Sequence, residues 1–421
     1  MQRRKIGVIG AGAVGMAVAS TLLRDGHDVF VIDPDPPGEG ASFGNAGCFN
    51  PSSVVPMSMP GSWRNVPKWL SDPLGPLAIR WGYMPTLAPW LLRYIRAGTP
   101  TRVQAQARAL TSLLASSLDD WAPLVRNAGA EDLVRRTGIL IAYRSQASRD
   151  GDSAAWDLRR ANGVTWNELD ADEMRQFEPA LSRDYTRGIH VTGNGHTTSP
   201  HALVVRLSEA FQRDGGTLHR ARALGFSLDG GRLSAIRTDQ GELAADAAVI
   251  AAGAYSKPLA ALLGDTVPLE TERGYHLMLR DPETSPRIPT TDADGKFVVT
   301  PMRDGLRLAG TVELAGLDAP PDWRRSHMLL QQATRLLPGL SSSYPEERVS
   351  VWMGHRPSLP DSLPVIGASS ASPDVFHAFG HGHVGMTGAP TTARVIADLV
   401  AGRPAPIDLA PFRADRFAAW S

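Results

Sequence analysis

The sequence has almost no cysteine: Cys48 is the only one in 421 residues, so no disulfide can form within the chain. It has no run of about 18 apolar residues, the length that a helix needs to span a bilayer. Neither sign of charge dominates, because 43 Lys and Arg balance 43 Asp and Glu. A balanced chain has no overall field that attracts nucleic acid, so the composition argues against that class of partner.

A secretory signal is missing as well. Basic residues 3–5 lead directly into a glycine-rich segment, where a signal would have an uninterrupted apolar run. Together with the lone cysteine, this predicts a cytoplasmic protein. The length predicts about two or three domains, and a hydrophobic content of 43% predicts a globular protein with a large core.

A glycine-rich turn follows a short apolar run, residues 5–9, which predicts a buried strand. Gly10 allows the tight turn, Gly12 lets a pyrophosphate approach the backbone, and Gly15 lets the next helix pack on the strand. The helix N-terminus presents free N–H groups to phosphates. The predicted cofactor contacts of this turn are Gly10, Gly12, Ala13, Val14 and Gly15.

A second apolar strand, residues 29–32, ends at Asp33, 23 residues after Gly10. A carboxylate at this distance accepts a hydrogen bond from a ribose hydroxyl and repels a 2′-phosphate. The pattern therefore predicts a dinucleotide site. FAD and NAD use the same pattern, and this segment alone does not choose between them.

Three later segments carry further motifs, in the order 41–47 (ASFGNAG), 246–256 (DAAVIAAGAYS) and 354–367 (GHRPSLPDSLPVIG). The first resembles an S-x-x-N-A-G segment, the second a V-V-x-A-x-G-A-W-S strand, and the third a G-x-R-P-x-x-P-D-x-x-P-x-I-G signature. These are motifs of the DAO-type FAD oxidoreductases, and the chain most closely resembles the small-subunit-like D-amino-acid dehydrogenases among them. The resemblance implies that the cofactor is FAD.

The resemblance also implies how the flavin is held. Relatives that attach flavin covalently use a cysteine near the C-terminal motif, where this chain has none, so FAD is predicted to be non-covalent and Cys48 a packed small residue. A helix beginning after Gly385 would stabilise negative charge on the reduced flavin. The further predicted FAD contacts are Ser42, Asn45, Ala46, Gly47, Ala252, Gly253, Gly380, Gly382, Gly385 and Met386.

The implied fold class is α/β, with a discontinuous Rossmann-type FAD-binding domain and a second α+β substrate domain that contains an antiparallel sheet. The FAD-binding domain is predicted at 1–60, 186–262 and 347–421, and the substrate domain at 61–185 and 263–346. Local patterns predict helices at 102–128, 200–214 and 388–401, strands at 139–143, 217–226, 232–238 and 297–300, and a hairpin turn at 229–231.

Residues 61–97 combine aromatic and basic side chains in an unusual density. Such a segment fits contact with an anionic membrane surface, from which electrons would pass to a quinone. Packing inside the second domain or at an oligomer interface is the commoner fate of such a segment, and the oligomeric state stays open. The residues concerned are Trp63, Trp69, Trp81, Trp90, Arg64, Lys68, Arg80, Arg93 and Arg96.

Arg356 lies in the Arg-Pro signature, and the resemblance implies that its planar fork holds a substrate carboxylate. The alternative is an arginine paired with a structural carboxylate such as Asp361. Tyr275 is predicted to add a phenol, or else to be a buried tyrosine with a satisfied hydroxyl. His381 and His383 are predicted beside the flavin edge, to tune the flavin, to touch substrate, or only to support the backbone. The side-chain pocket is expected among Tyr83, Met84, Tyr275, His276 and Met302.

The predicted reaction is FAD-dependent oxidative deamination of a small D-amino acid. The α-hydrogen leaves as hydride to flavin N5, and the imine hydrolyses to a 2-oxo acid and ammonia. Electrons are expected to pass to an acceptor other than O₂, such as a quinone or a redox protein. Three alternatives stay open: a D-proline or hydroxy-D-proline dehydrogenase, a glycine- or sarcosine-type oxidase that makes H₂O₂, and a non-catalytic FAD-binding subunit. No ligand spacing predicts a metal site.

Overall fold

The computed structural model describes residues 3–61, 75 and 77–420. This part of the chain contains 11 α-helices and 21 β-strands. The helices are α1 Ala13–Arg24, α2 Met84–Ala97, α3 Pro100–Leu114, α4 Ser117–Asn127, α5 Gln146–Gly151, α6 Ser153–Ala161, α7 Ala171–Phe177, α8 Pro200–Arg213, α9 Ser256–Ala261, α10 Arg324–Leu336 and α11 Gly385–Val400. The strands are β1 Lys5–Ile9, β2 Asp28–Ile32, β3 Cys48–Phe49, β4 Leu77–Ile79, β5 Val134–Arg135, β6 Ile139–Tyr143, β7 Asn167–Leu169, β8 Arg187–Val191, β9 Gly195–Thr197, β10 Thr217–His219, β11 Ala223–Asp229, β12 Arg232–Thr238, β13 Gly241–Ala244, β14 Ala247–Ile250, β15 Glu270–Leu279, β16 Thr290–Asp292, β17 Phe297–Met302, β18 Gly305–Leu314, β19 Val349–Ser358, β20 Val365–Ala368 and β21 Val375–Phe379.

A six-stranded sheet of order β10-β2-β1-β14-β21-β20 carries the glycine-rich turn. Its neighbouring strands run parallel, except that the edge strand β20 runs antiparallel to β21. The central strands are buried almost throughout, as expected of a parallel sheet covered on both faces. Helices α1 and α11 join one hydrophobic core against this sheet. The discontinuous Rossmann-type domain is thereby confirmed.

A nine-stranded sheet forms the second domain, in the order β19-β15-β18-β17-β16-β6-β8-β7, with β4 beside β18. It is mostly antiparallel, as predicted, but β16–β6 and β18–β4 pair in parallel. One face is covered by α10, whose Leu329 and Leu336 share a buried core with Leu277 and Leu308. Side chains alternate along a strand, so His276 points to the opposite face, towards the first domain.

Two predicted domain boundaries fall too early. Strand β8 pairs with β6, and strand β19 pairs with β15, so both belong to the nine-stranded sheet rather than to the FAD-binding domain. The predicted boundaries at 186 and 347 cut in front of these strands. Because β19 carries Arg356 and Pro357, this part of the signature lies on the substrate-domain sheet, while its end at 365–367 lies on β20 of the six-stranded sheet.

The helix predicted at 102–128 is wrong as a single element, because α3 ends at Leu114 and α4 begins at Ser117. Helix α4 is tied to the start of α11: the Ser117 hydroxyl donates to the Thr387 carbonyl, and the Trp121 indole donates to the Met386 carbonyl. The backbone leaves helical geometry at Ser116, which has a φ of −91° and a ψ of 7°.

The strand predicted at 217–226 is also two elements, β10 and β11, in different sheets. The predicted hairpin between β11 and β12 is confirmed, and its Gly230 and Gly231 both have positive φ, as a type I′ turn requires. The last helix begins at Gly385, three residues before the predicted start. Among the described helices, none is both long and apolar enough to cross a membrane.

Candidate functional site

The glycine-rich turn has the predicted cofactor-binding geometry. Gly10 has a φ of +113°, and a Cβ there would lie 2.4 Å from the Ala251 carbonyl oxygen. A Cβ at Gly15 would lie 1.8 Å from the Gly10 carbonyl oxygen, so helix and turn pack with no room for a side chain. A Cβ at Gly12 would meet only the Ser42 hydroxyl, at 3.4 Å. The backbone therefore leaves no space for a side chain at Gly10 or Gly15. The space beside Gly12 is open, and a pyrophosphate fits there.

Asp33 faces this turn from the end of β2. Its Oδ2 accepts from the Ala11 backbone N–H at 2.7 Å, and its Oδ1 accepts from the Asp35 N–H at 2.9 Å. Burial raises the pKa of Asp33, and these two N–H donors oppose that effect. The Ser42 hydroxyl accepts from the Ala13 N–H at 3.0 Å, so that N–H has a protein acceptor. The Asp33 carboxylate keeps lone pairs that can accept a hydrogen bond from a ribose hydroxyl.

Residues 43–47 lie between the two domains and are held from the substrate side. The Gly44 carbonyl lies 3.0 Å from His276 Nδ1, and the Asn45 carbonyl accepts from Arg307 Nη1 at 2.6 Å. The Asn45 side-chain oxygen accepts from the Gly47 N–H at 2.8 Å. Burial lowers the pKa of His276 to about 3, so the ring is neutral. The motif predicted beside the flavin is thus fixed by two substrate-domain side chains.

The indole of Trp352 packs on this loop. It stacks on the His276 ring, with centroids 5.2 Å apart. A Cβ at Gly44 would lie 2.0 Å from the indole, and one at Gly354 would lie 1.9 Å from it. Both glycines are therefore required by the tryptophan. No motif marks Trp352 or Arg307 in the sequence, although glycines at 44 and 354 are the local signal that a large side chain lies over the backbone.

The C-terminal loop leads into α11, which begins at Gly385. The Gly382 N–H donates to the Pro357 carbonyl at 2.7 Å, and this bond joins the loop to the Arg-Pro signature. The Asn50 backbone N–H donates to the Thr387 hydroxyl in the first turn, and the Asn50 side-chain oxygen is buried without a partner among the described residues. The N-terminus of α11 carries a partial positive charge, and the Asn50 side-chain oxygen beside it can accept a hydrogen bond. Both features fit the polar edge of a flavin.

The strand motif at 246–256 runs beside β1, in parallel with it. The Ala251 N–H donates to the Ile9 carbonyl, and Gly253 begins a short 3₁₀ turn with a φ of +55°. Ala252 and Gly253 therefore lie next to the glycine-rich turn. The segments named as cofactor-binding meet around one end of the six-stranded sheet, and the donor set fits FAD.

The side chain of Arg356 passes over Gly274 of the neighbouring strand. It sits on β19, and a Cβ at Gly274 on the neighbouring strand β15 would lie 2.2 Å from its Cζ. Its Nη1 donates to the Thr311 carbonyl on β18 at 3.2 Å. Burial lowers the pKa of Arg356, and the negative charge of Glu272 opposes that shift. In the part of the chain that the structure describes, Arg356 forms no ion pair.

The alternative partner proposed for Arg356 is engaged elsewhere. Asp361 accepts from Arg416 through both oxygens, at 2.8 and 3.2 Å. Glu272 lies opposite Arg356 in the ladder, but its carboxylate accepts from the Ser358 hydroxyl at 2.8 Å. Among the described residues this half-buried guanidinium has only a backbone carbonyl as partner, which makes it a natural binding group for a carboxylate.

The two C-terminal histidines differ in their surroundings. His381 is buried, and its Nε2 lies 2.9 Å from the Thr392 hydroxyl. That hydroxyl donates its hydrogen to the Gly388 carbonyl, so His381 Nε2 is the donor. The His383 side chain is exposed to solvent, and its partial desolvation together with the charge of Arg356 lowers its pKa to about 4. Both rings are neutral at pH 7, and only His383 is brought to Arg356.

Tyr275 has a satisfied hydroxyl. It is buried, donates to Glu313 and accepts from the Asp322 N–H at 3.0 Å. Its side chain alternates with those of Gly274 and His276, so it lies on the sheet face away from Arg356. The prediction that this phenol contacts substrate is wrong, and the alternative that it is a buried structural tyrosine describes what the structure shows.

The expected pocket residues do not all gather at Arg356. The Tyr83 hydroxyl donates to Glu270 at 2.8 Å, and Met84 packs in a separate apolar cluster with Trp90. The Met302 methyl lies 3.0 Å from a Cβ built on Gly47, on the far side of the loop. Within residues 3–61, 75 and 77–420, no three His, Cys, Asp or Glu side chains are grouped as a metal site would need.

Comparison with known proteins gives one consistent result. A family model described as "DAO: FAD dependent oxidoreductase" matches residues 5–399. The chain is 47% identical over 417 residues to a protein of Bradyrhizobium diazoefficiens named D-amino-acid oxidase, covering 98% of this chain and 99% of that one. It is 30% identical over 419 residues to a D-amino acid dehydrogenase of Rhizobium rhizogenes, covering 98% and 100%. Glycine oxidase from Geobacillus kaustophilus has a similar fold, with a TM-score of 0.71 at 23% identity over 99% of both chains.

Proposed function

This chain belongs to the DAO family of FAD dependent oxidoreductases, and from that premise we propose that it oxidises the C–N bond of a small D-amino acid whose carboxylate binds Arg356. It is an FAD-dependent oxidoreductase. The names of the relatives support an amino-acid substrate of D configuration. The observation that carries the proposal is the Arg356 guanidinium, anchored on Thr311 and lacking a carboxylate partner in the described structure.

The protein's own residues mainly position the substrate. Arginine presents a rigid fork that binds a carboxylate through two parallel hydrogen bonds. With the carboxylate fixed, the α-carbon has one allowed orientation, and orientation of this kind removes much of the entropic barrier. Bound FAD supplies the hydride acceptor. A neutral His383 beside Arg356 adds no competing positive charge at pH 7.

The reaction then needs little acid–base help from the protein. The substrate amine reacts in its neutral form, and the imine product hydrolyses in water to a 2-oxo acid and ammonia. The test is to mix the purified holoenzyme anaerobically with single D- and L-amino acids and cyclic imino acids, and to follow the visible absorbance of the flavin. Rapid bleaching by small D-amino acids supports the proposal. If only glycine, sarcosine or D-proline bleaches the flavin, the substrate assignment is wrong and the corresponding alternative replaces it.

For the electron acceptor, we propose a quinone or a redox protein rather than O₂. The 47% identical relative is named an oxidase, which favours O₂ as a second candidate. Admitting air to the substrate-reduced enzyme separates the two. Slow return of colour, accelerated by an added quinone, supports a dehydrogenase. Immediate return of colour with formation of H₂O₂ overturns that proposal and identifies an oxidase.

We expect the FAD to be released when the enzyme is denatured with acid, because Cys48 is unreactive. Its Sγ lies 3.8 Å from the Ala46 carbonyl oxygen, and burial raises the pKa of its thiol to about 12. A protonated thiol is a poor nucleophile. The measurement is acid precipitation of the holoenzyme, followed by the visible absorbance of the supernatant and of the pellet. The control is Cys48→Ser, which should contain as much FAD as the wild type before denaturation. A yellow pellet would show covalent attachment.

We also propose a cytoplasmic location with peripheral contact at the inner face of the membrane. Helix α2 exposes Leu92 and Ile95 to 61% and 49%, and Trp81 just before it is 71% exposed. Arg93 and Arg96 on the same helix add positive charge, whereas Trp90 is buried. The predicted membrane residues Trp63, Arg64, Lys68 and Trp69 lie outside the described residues.

The membrane proposal predicts that the enzyme sediments with vesicles of phosphatidylglycerol and phosphatidylcholine, and that Leu92→Ser with Ile95→Ser reduces the bound fraction severalfold. Apolar area buried in the interface and attraction to anionic lipid both contribute to such binding. Leu262→Ser is the matched control, because Leu262 is similarly exposed, at 58%, on another part of the surface. Equal sedimentation of both variants would contradict the assignment of this helix.

A further inference from the structure

Strand β18 contains a bulge opposite Gly274. In the ladder with β15, Tyr275 pairs with Gly310 and Arg273 pairs with Glu313, so Thr311 and Val312 together face the single residue Gly274. Thr311 has a φ of +61°. In a bulge of this geometry the residue with left-handed backbone is ordinarily glycine. Such bulges are frequent next to active sites, where they redirect a side chain.

Threonine is an unfavourable residue at this position. Four described non-glycine residues have positive φ, and Thr311 is the only β-branched one among them. A branched Cβ clashes with its own backbone in the left-handed region. The residue is 6% exposed, and its hydroxyl is buried without a hydrogen-bond partner among the described residues. A buried unpaired hydroxyl destabilises the fold, and a glycine would avoid both effects.

The place of Thr311 indicates what the hydroxyl binds. Its carbonyl accepts from Arg356 Nη1 at 3.2 Å, so the same residue anchors the guanidinium and carries the unpaired hydroxyl. A carboxylate held in the arginine fork has about four lone-pair sites and uses two of them on the fork. We propose that the Thr311 hydroxyl donates a hydrogen bond to the substrate carboxylate beside Arg356. This inference rests on the proposed function, since it concerns the same site.

The test compares Thr311→Val, which keeps the branched shape and removes the hydroxyl, with Thr311→Ser, which keeps the hydroxyl. The first probe is propionate, which is D-alanine without its amino group, titrated into the holoenzyme while the flavin spectrum is followed. The second readout is KM against kcat for D-alanine. Thr311→Val should weaken propionate binding and raise KM by about 10-fold or more, the usual effect of losing a hydrogen bond to a charged group, while Thr311→Ser stays within about 2-fold of the wild type.

A matched control is Thr290→Val, which makes the same change in the same sheet. Thr290 is buried, and its hydroxyl donates to the Ile288 carbonyl at 3.1 Å, away from Arg356. It should leave propionate binding unchanged. FAD content and melting temperature of every variant show that each one is folded.

Four results would overturn the inference. Wild-type affinity of Thr311→Val for propionate would show that the hydroxyl makes no contact. Equal losses in Thr311→Val and Thr311→Ser would assign the effect to packing. Weaker binding of D-alanine alone would move the contact to the amine. Failure of the wild type to bind propionate would remove the carboxylate site. If propionate binds as expected but no D-amino acid bleaches the flavin, the proposed function is wrong. The propionate titrations of the Thr311 variants still test the assignment of Thr311 in that case.

Discussion

Replacing Arg356 by alanine should lower kcat/KM for the best D-amino acid by about 10²- to 10⁴-fold, because the substrate carboxylate would lose its cationic partner at this position. The loss has two sources. The carboxylate is still desolvated on binding, and no fork remains to fix the α-carbon for reaction. The measurement is the rate of anaerobic flavin bleaching over a range of substrate concentrations.

Arg356→Lys is the matched variant for this prediction. It keeps the positive charge but not the planar fork, and it cannot bridge from β19 across Gly274 to the Thr311 carbonyl with the same geometry. We expect an intermediate loss that falls on kcat as well as on KM. FAD content should be normal in both variants, since Arg356 lies on the substrate sheet. Normal kcat/KM in Arg356→Ala with a full complement of FAD would exclude Arg356 as the carboxylate-binding residue.

A loss much smaller than expected would direct attention to Arg307. Arg307 is buried, unlike the half-buried Arg356, and burial lowers its pKa to about 10. Its Nη1 is committed to the Asn45 carbonyl, however, and its Nε has no described partner. This arrangement assigns it to the cofactor loop, whereas the guanidinium of Arg356 has a single carbonyl partner.

The parts of the site that could be predicted from sequence are those that local chain geometry determines. The turn around Gly10 needs glycine because the backbone itself leaves no space, and the acid at Asp33 follows from the length of one strand–helix–strand unit. Both can be read within 30 residues or so, as the motif rules describe. The start of α11 at Gly385 was misplaced by only three residues, because its glycines also permit a loop.

The substrate side could not be predicted in the same way, because its contacts join strands far apart in sequence. Tyr275 and Glu313 are neighbours only because β15 pairs with β18, and nothing near Tyr275 in the chain shows that its hydroxyl is occupied. Arg356 reaches Thr311 only because β15 lies between their strands and carries glycine at position 274. The alternative pairing of Arg356 with Asp361 could not be judged from the sequence for the same reason, since Arg416, the partner of Asp361, comes from the end of the chain.

The second large effect is expected at Gly44, where alanine should weaken FAD binding by about 10- to 100-fold, the usual range for an overpacked buried contact. The new Cβ would lie 2.0 Å from the Trp352 ring. The indole is held from two other sides, since it stacks on His276 and lies against Gly354. The loop at 43–47 must therefore move, and it carries the predicted flavin contacts. The measurement is the dissociation constant of FAD, from the fluorescence of released flavin.

Gly40→Ala is the matched control, because Gly40 lies in the same segment and a Cβ there meets no atom within 4 Å. It should bind FAD like the wild type. Adding Trp352→Ala to Gly44→Ala removes the ring that causes the clash, so the double variant should bind FAD more tightly than Gly44→Ala alone. If the double variant is no better than the single one, the clash is not the cause of the loss. If Gly44→Ala binds FAD normally, the loop does not need Trp352 for its position, and the connection from the substrate sheet through His276 and Trp352 to the cofactor is wrong.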